Sequence, residues 1–140
     1  MHRILNIAGN EKNNDDFIVH PKADFIFITS VKADINIISD LIDEKEFVLF
    51  KNNIRALEIS NLNTFAQIDN YFIKTINYAK VVVLRLFGDK GTWSYGIEKL
   101  IKWQELRINR TLLILSGTEE EDLSLNELSS INIDLSLIHI

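Results

Sequence analysis

Short apolar runs alternate along this chain with longer stretches in which apolar residues recur every three or four positions, the mixed signature of strands and amphipathic helices. Residues 3–7 and 24–29 have the β-branched and aromatic character of strands, and the polar segment 9–16 between them reads as a surface loop. Beyond the second strand, Ser30 is placed to cap a helix whose apolar stripe is Val31, Ile35, Ile38 and Ile42. Residues 47–50 and 54–59 are two further strand segments, with Lys51, Asn52 and Asn53 as a turn between them. Thr64 followed by Gln67 fits a capping box, and Phe65, Ile68, Phe72, Ile76 and Ala79 then trace a second helical face. Residues 80–87 are apolar without strict alternation, as in a strand buried on both faces of a parallel sheet. The next helix runs from Trp93 to about Ile108 and buries Trp93, Ile97, Leu100 and Ile101, leaving Trp103 and Leu106 off the stripe. Residues 111–115 form a last strand, ended by Ser116 and Gly117.

Strands alternating with helices of this length imply βαβ units. The expected fold class is therefore a three-layer α/β/α domain with a mostly parallel, doubly wound sheet, flavodoxin-like or Rossmann-like. The chain has 140 residues, 46% of them hydrophobic, enough for one self-sufficient core. Residues 1–134 are read as a single α/β domain, and residues 135–140 as a non-native or truncated tail. A net charge of −5 argues against a nucleic-acid partner, because phosphate contacts need a basic surface. With no cysteine, disulfides and thiolate metal sites are excluded, and no apolar run approaches the roughly 20 residues that span a bilayer. A cytoplasmic protein without membrane contact is expected. The acidic run from Glu119 to Asp122 suits the start of a helix, where carboxylates oppose the helix dipole.

Chemistry concentrates between Arg85 and Glu98. Gly88, Asp89, Lys90 and Gly91 follow a buried strand, so their backbone N–H groups could approach an anion beside a helix N-terminus, or the two glycines could simply shape a tight loop. A Walker loop is absent, since Gly96 is followed by Ile97 and Glu98 rather than by Lys and Ser or Thr. Arg85 in an apolar strand needs an acceptor: Glu98 one turn into the next helix, a backbone carbonyl, or a ligand. Trp93 and Tyr95 offer stacking surfaces, although the stripe also suits Trp93 as core, while Trp103 is the aromatic placed to dock another domain. His2, His20 and His139 have no helical partner at metal-ligand spacing, and no catalytic or metal-ligating set emerges from the residues alone.

The segment Val82-Val83-Leu84-Arg85-Leu86-Phe87-Gly88, followed by Trp93-Ser94-Tyr95-Gly96-Ile97-Glu98-Lys99-Leu100, resembles the N-terminal region of the cobaltochelatase large subunit, CobN, and of the related magnesium chelatase large subunit. Those families carry a Val-Val-Arg-Leu-Leu-Gly-Gly segment and then Tyr-Trp-Pro-Tyr-Gly, with Glu and Leu beyond; Asp89, Thr92 and Ser94 depart from that pattern. The resemblance extends from roughly Asp24 to Leu128. It implies the N-terminal domain of a much longer, macrocycle-binding subunit of an ATP-dependent cobaltochelatase, a ligase that inserts Co2+ into hydrogenobyrinic acid a,c-diamide in aerobic cobalamin biosynthesis. The partners so implied are the remainder of the large subunit, two AAA+-type subunits (CobS-like and CobT-like) and the corrin or tetrapyrrole substrate. ATP, Mg2+ and Co2+ are used by the complex, with no cofactor bound by this domain, and the fragment alone is expected to be inactive. Arg85, Gly88, Gly91, Trp93, Tyr95, Gly96 and Glu98 are the substrate-binding residues that it suggests. A magnesium chelatase subunit and a stand-alone flavodoxin-like ligand-binding or interaction module are the alternatives.

Overall fold

A computed structural model describes residues 17–44, 51–87 and 90–116. The sequence expectations for residues 3–7, 9–16, 47–50, Gly88, Gly117, the acidic run from Glu119 and the tail 135–140 lie outside those residues.

Four strands, β1 (Phe25–Thr29), β2 (Ile54–Glu58), β3 (Val81–Leu86) and β4 (Thr111–Ser116), form one sheet in the order β2-β1-β3-β4. All three pairings are parallel, with Phe25 opposite both Ile54 and Val81, and Val81 opposite Thr111. Parallel neighbours need crossovers, and the three helices supply them: α1 (Lys32–Ile42), α2 (Phe65–Lys74) and α3 (Ser94–Glu105). Successive strand residues point to opposite faces, so the sheet carries two cores. Ile26, Ile28, Leu57, Val82, Leu84, Leu86, Leu112 and Ile114 pack with Ile68, Tyr71, Phe72, Ile97, Leu100 and Trp103 from α2 and α3. On the opposite face, Phe27, Ile54 and Ala56 pack with Ile35, Ile38 and Ile42 of α1. The result is the expected α/β/α arrangement.

The residues explain the element bounds, and some bounds differ from the sequence reading. Thr64 and Gln67 do form a reciprocal capping box, which starts α2. That helix stops at Lys74, so buried Ile76 sits in a following 3-10 turn and Phe65 is exposed rather than on the core face. Ser30 does not cap α1; Val31 occupies the N-cap position without a side-chain bond, because the Ser30 hydroxyl accepts from the Phe87 N–H at 2.8 Å. β3 is fully buried on one face only, since Val81, Val83 and Arg85 alternate with Val82, Leu84 and Leu86 as half-buried and buried positions. α3 starts one residue later than expected and ends at Glu105. Trp103, which the stripe left outside the core, is 2% exposed, and its indole N–H donates to the Ile76 carbonyl at 2.9 Å.

The segment before β1 is held by two buried polar groups. Arg55 donates to the carbonyls of Pro21, Lys22, Asn52 and Ile54. His20 lies 2.7 Å through Nδ1 from the Tyr71 hydroxyl, while its Nε2 is buried without a partner among the described residues. Burial, reinforced by the Arg55 charge, pushes the His20 pKa down from 6.5 to about 3, so the imidazole is neutral in the fold. The unfolded chain then binds one more proton than the native chain between those values, and stability falls as pH drops below 6.5. At about 1.4 kcal/mol per pH unit, acidifying from neutral to pH 5 removes roughly 2 kcal/mol. Urea unfolding of the wild type across that range should show the loss, and His20→Leu should abolish this contribution to the pH slope whatever its own baseline stability.

Candidate functional site

The order β2-β1-β3-β4 places the neighbours of β1 on opposite sides, with α1 on one face of the sheet and α2 and α3 on the other. Crossovers that diverge in this way open a crevice beyond the carboxyl ends of the two central strands, the usual ligand position in open α/β sheets. In this chain the residues at that position come from the end of β1, the end of β3 and the first turn of α1.

Thr29, the last residue of β1, is fully buried, and its hydroxyl both accepts from the Val31 N–H at 3.0 Å and donates to Asp34 Oδ2 at 2.7 Å. The other Asp34 oxygen, Oδ1, accepts from Arg85 Nη1 at 2.5 Å. The Asp34 side chain is 8% exposed and that of Arg85 is 36% exposed. The carboxylate is therefore the buried anchor and the guanidinium the accessible end. Asp34 lies in the first turn of α1, where the helix dipole also favours its charge. The Ser30 N–H donates to the Arg85 carbonyl at 3.0 Å, which ties the two strand ends together beneath the pair. Phe87, 44% exposed, places its ring 5.9 Å from the Arg85 guanidinium carbon. A cation with donors left over thus stands next to a flat apolar surface, a combination suited to a carboxylate-bearing or planar ligand.

The residues singled out in the sequence separate into distinct places. Arg85 is at the crevice, but its partner is Asp34 and not Glu98, which is exposed on α3. Gly88 lies outside the described residues, and Gly91 is within a 3-10 turn at Lys90–Trp93. Trp93 is 6% exposed, with its indole N–H donating to the Leu62 carbonyl at 3.0 Å. Gly96 lies under that indole: a Cβ there would stand 2.3 Å from Trp93 Cε2. Tyr95 is half-buried at the α2–α3 surface, its ring stacked on Phe65 at 4.3 Å and its hydroxyl donating to Asp69 at 2.6 Å. Lys99 donates to the same Asp69 oxygen at 2.8 Å. Those two bonds, Lys99 first, hold the Asp69 carboxyl below the usual range, and in turn the bond to Asp69 raises the Tyr95 hydroxyl.

Sequence reasoning missed Thr29, Ser30 and Asp34. The available signal was a polar pair ending an apolar strand and an aspartate on the first turn of the helix beyond it, one position from the stripe residue Ile35. The cluster can hold and orient an anion; its hydroxyl bonded to a carboxylate, that of Thr29, is fully buried and so is not placed to attack a substrate. Among the described residues no group of three or more His, Cys, Asp or Glu is placed to hold a metal ion, and no helix is long and apolar enough to cross a membrane.

No protein-family model matches the chain, and no curated protein matches its sequence. Among solved structures, the catalytic subunit of cobaltochelatase from Mycobacterium tuberculosis is similar, with a TM-score of 0.54 and 21% sequence identity. The likeness covers 79% of this chain and 8% of that one. At that identity the match establishes a shared α/β fold, and the chain spans a small part of the similar protein's length.

Proposed function

We propose that this chain is the N-terminal domain of the large subunit of an ATP-dependent cobaltochelatase, with the Arg85–Phe87 crevice forming part of the wall that receives the macrocycle. The observation that carries the reading is the placement of Arg85. An arginine of an otherwise apolar strand reaches the crevice between β1 and β3 and is held there by a buried aspartate with a threonine behind it. The fold shared with a cobaltochelatase catalytic subunit supports the same reading.

The reaction is metal insertion, with Co2+ and a corrin precursor such as hydrogenobyrinic acid a,c-diamide as substrates. Arg85 would hold a peripheral carboxylate of the macrocycle, with the remaining edge of its guanidinium donating two-pronged. Phe87 would lie against the ring. Trp93 and Gly96 contribute by fixing the start of α3, because the indole packs on the glycine and is bonded to Leu62. Tyr95 and Glu98 sit on the α2–α3 side and would meet other parts of the subunit or its edge. Co2+ delivery, ATP and Mg2+ would be handled by the remainder of the large subunit and by two AAA+-type partner subunits.

Reading the genomic coding frame beyond Ile140 tests the assignment to a longer subunit. A frame that continues for many hundreds of residues is the expected result. A genuine stop close to residue 140 would instead make this a free-standing module, for which the flavodoxin-like strand order favours a small-ligand carrier.

A further inference from the structure

The opposite end of the sheet carries a second surface, unrelated to the Arg85 crevice. The turns that lead into β3 and β4, together with the end of α2, line an open groove of about 860 Å³. Among the described residues its lining includes Lys80, Arg107 and Arg110, and no acidic side chain. This clustering occurs on a chain whose overall charge is −5. Arg110 forms the floor: it is 8% exposed, donates to the carbonyls of Trp103 at 2.6 Å and Asn77 at 2.9 Å, and stacks over the Trp103 ring at 5.0 Å. Its hydrogen bonds are thus satisfied by neutral carbonyls, whereas no carboxylate pairs with it, with Arg107 or with Lys80 among the described residues. Burial, with Arg107 beside it, lowers the Arg110 pKa, the direction expected of a cation short of counter-charge.

The rim of the groove is apolar. Of its lining, Ile73 is 63% exposed, Tyr78 52% and Leu106 77%, and Ile108, which lies in the chain between the lining residues Arg107 and Asn109, is fully exposed. Leu106 and Ile108 stand in the short connection between α3 and β4, beside the cations. Large apolar side chains clustered around an uncompensated charge are the composition of a protein contact rather than of a solvated end. The groove continues between α2 and α3 as a second hollow of about 430 Å³ that shares Ile73, Asn77 and Leu106 with the first and adds Lys102 and Lys99. Lys99 is already paired with Asp69, and Glu98 at the far end is the acidic residue in this stretch.

We infer that this groove docks an acidic protein segment with apolar anchors, its carboxylates meeting Lys80, Arg107 and Arg110 and its apolar side chains covering Ile73, Leu106 and Ile108. A bare polyanion would satisfy the cations and leave the apolar rim in water. A neutral apolar segment would cover the cations and leave them unpaired, which is unfavourable. The partner that satisfies both is amphipathic and acidic. The inference does not depend on the chelatase reading, because none of these residues belongs to the Arg85 crevice.

The test is selection of binders to the complete 140-residue chain from a displayed library of random 16-residue peptides, followed by titration of the winners, of heparin and of a single-stranded oligonucleotide. Peptides that combine Asp or Glu with Leu, Ile or Phe should be enriched. Their affinity should fall at least about tenfold in Lys80→Glu/Arg107→Glu and in Leu106→Ser/Ile108→Ser, and should weaken with added salt. Arg85→Lys should bind them as the wild type does. Lys80→Gln/Arg107→Gln, which removes charge without reversing it, gives the same reading if a reversed variant fails to fold. Failure to enrich any peptide, enrichment of basic or uncharged peptides, binding that survives both surface variants, or tighter binding of heparin or the oligonucleotide than of the peptides would each overturn the inference.

Discussion

Gly96→Ala should lower the unfolding free energy by about 3 kcal/mol, the upper end of the usual overpacking range, although it adds a single methyl group. The reason is local. The new Cβ would fall 2.3 Å from Trp93 Cε2 and 2.4 Å from Cζ2, well inside contact distance, so the ring or the helix must move. Neither moves freely. The indole is 6% exposed within the main core and its N–H is held by the Leu62 carbonyl, while Gly96 is one turn from Leu100, which is fully buried against the sheet. Guanidinium unfolding measures the loss directly. The same substitution in a Trp93→Leu background should cost less than about 1 kcal/mol, because the smaller side chain vacates the space, and the difference is the coupling between the two positions. If Gly96→Ala were equally harmful in both backgrounds, the indole would not be the cause.

The second large effect belongs to the Asp34–Arg85 pair. Removing the arginine leaves a carboxylate that is 8% exposed, with the Thr29 hydroxyl as its remaining side-chain donor among the described residues. For a fully buried pair that would cost 3–5 kcal/mol, but Arg85 is 36% exposed and water reaches its end of the pair, so about 2 kcal/mol is expected for Arg85→Ala. Arg85→Lys keeps a cation opposite Asp34 and should cost less than about 1 kcal/mol, while it loses the planar fork that could grip a second carboxylate. Lysine therefore separates the architectural role of the residue from its ligand role: stability follows the charge, and recognition follows the fork.

How much of this was legible in the sequence depended on range. The capping box at Thr64 and Gln67 is a three-residue pattern and formed as read. β1, β2, β3 and β4 announce themselves through apolar, often β-branched runs, and their alternation with helices was sufficient for the fold class. Errors arose where one residue serves two elements. The apolar spacing places Trp93 at the start of the α3 stripe, but in the fold it occupies the N-cap position with non-helical backbone, and the helix begins at Ser94. With Ile97 and Leu100 setting the phase, Trp103 falls three residues beyond Leu100 on the same face and is buried. The Ser30 hydroxyl was claimed by Phe87, 57 positions away, so it was not free to cap α1. Likewise nothing local joins Asp34 to Arg85, 51 positions apart; only the parallel pairing of β1 with β3, which sets Thr29 opposite Arg85, brings them together. The arginine could be picked out because its residue type conflicts with an apolar strand, while its partner could not.

On the chelatase reading proposed above, cobalt insertion by the complete large subunit with its two partner subunits, measured at varied corrin precursor for wild type and Arg85→Lys, tests whether the crevice receives the macrocycle. A role in holding a peripheral carboxylate requires KM for the corrin precursor to rise about tenfold, the equivalent of one lost charge-assisted hydrogen bond, with the thermal midpoint nearly unchanged. Unaltered KM and kcat in Arg85→Lys, and again in Arg85→Ala, would remove the macrocycle from this crevice and leave Arg85 as a strut between β3 and α1.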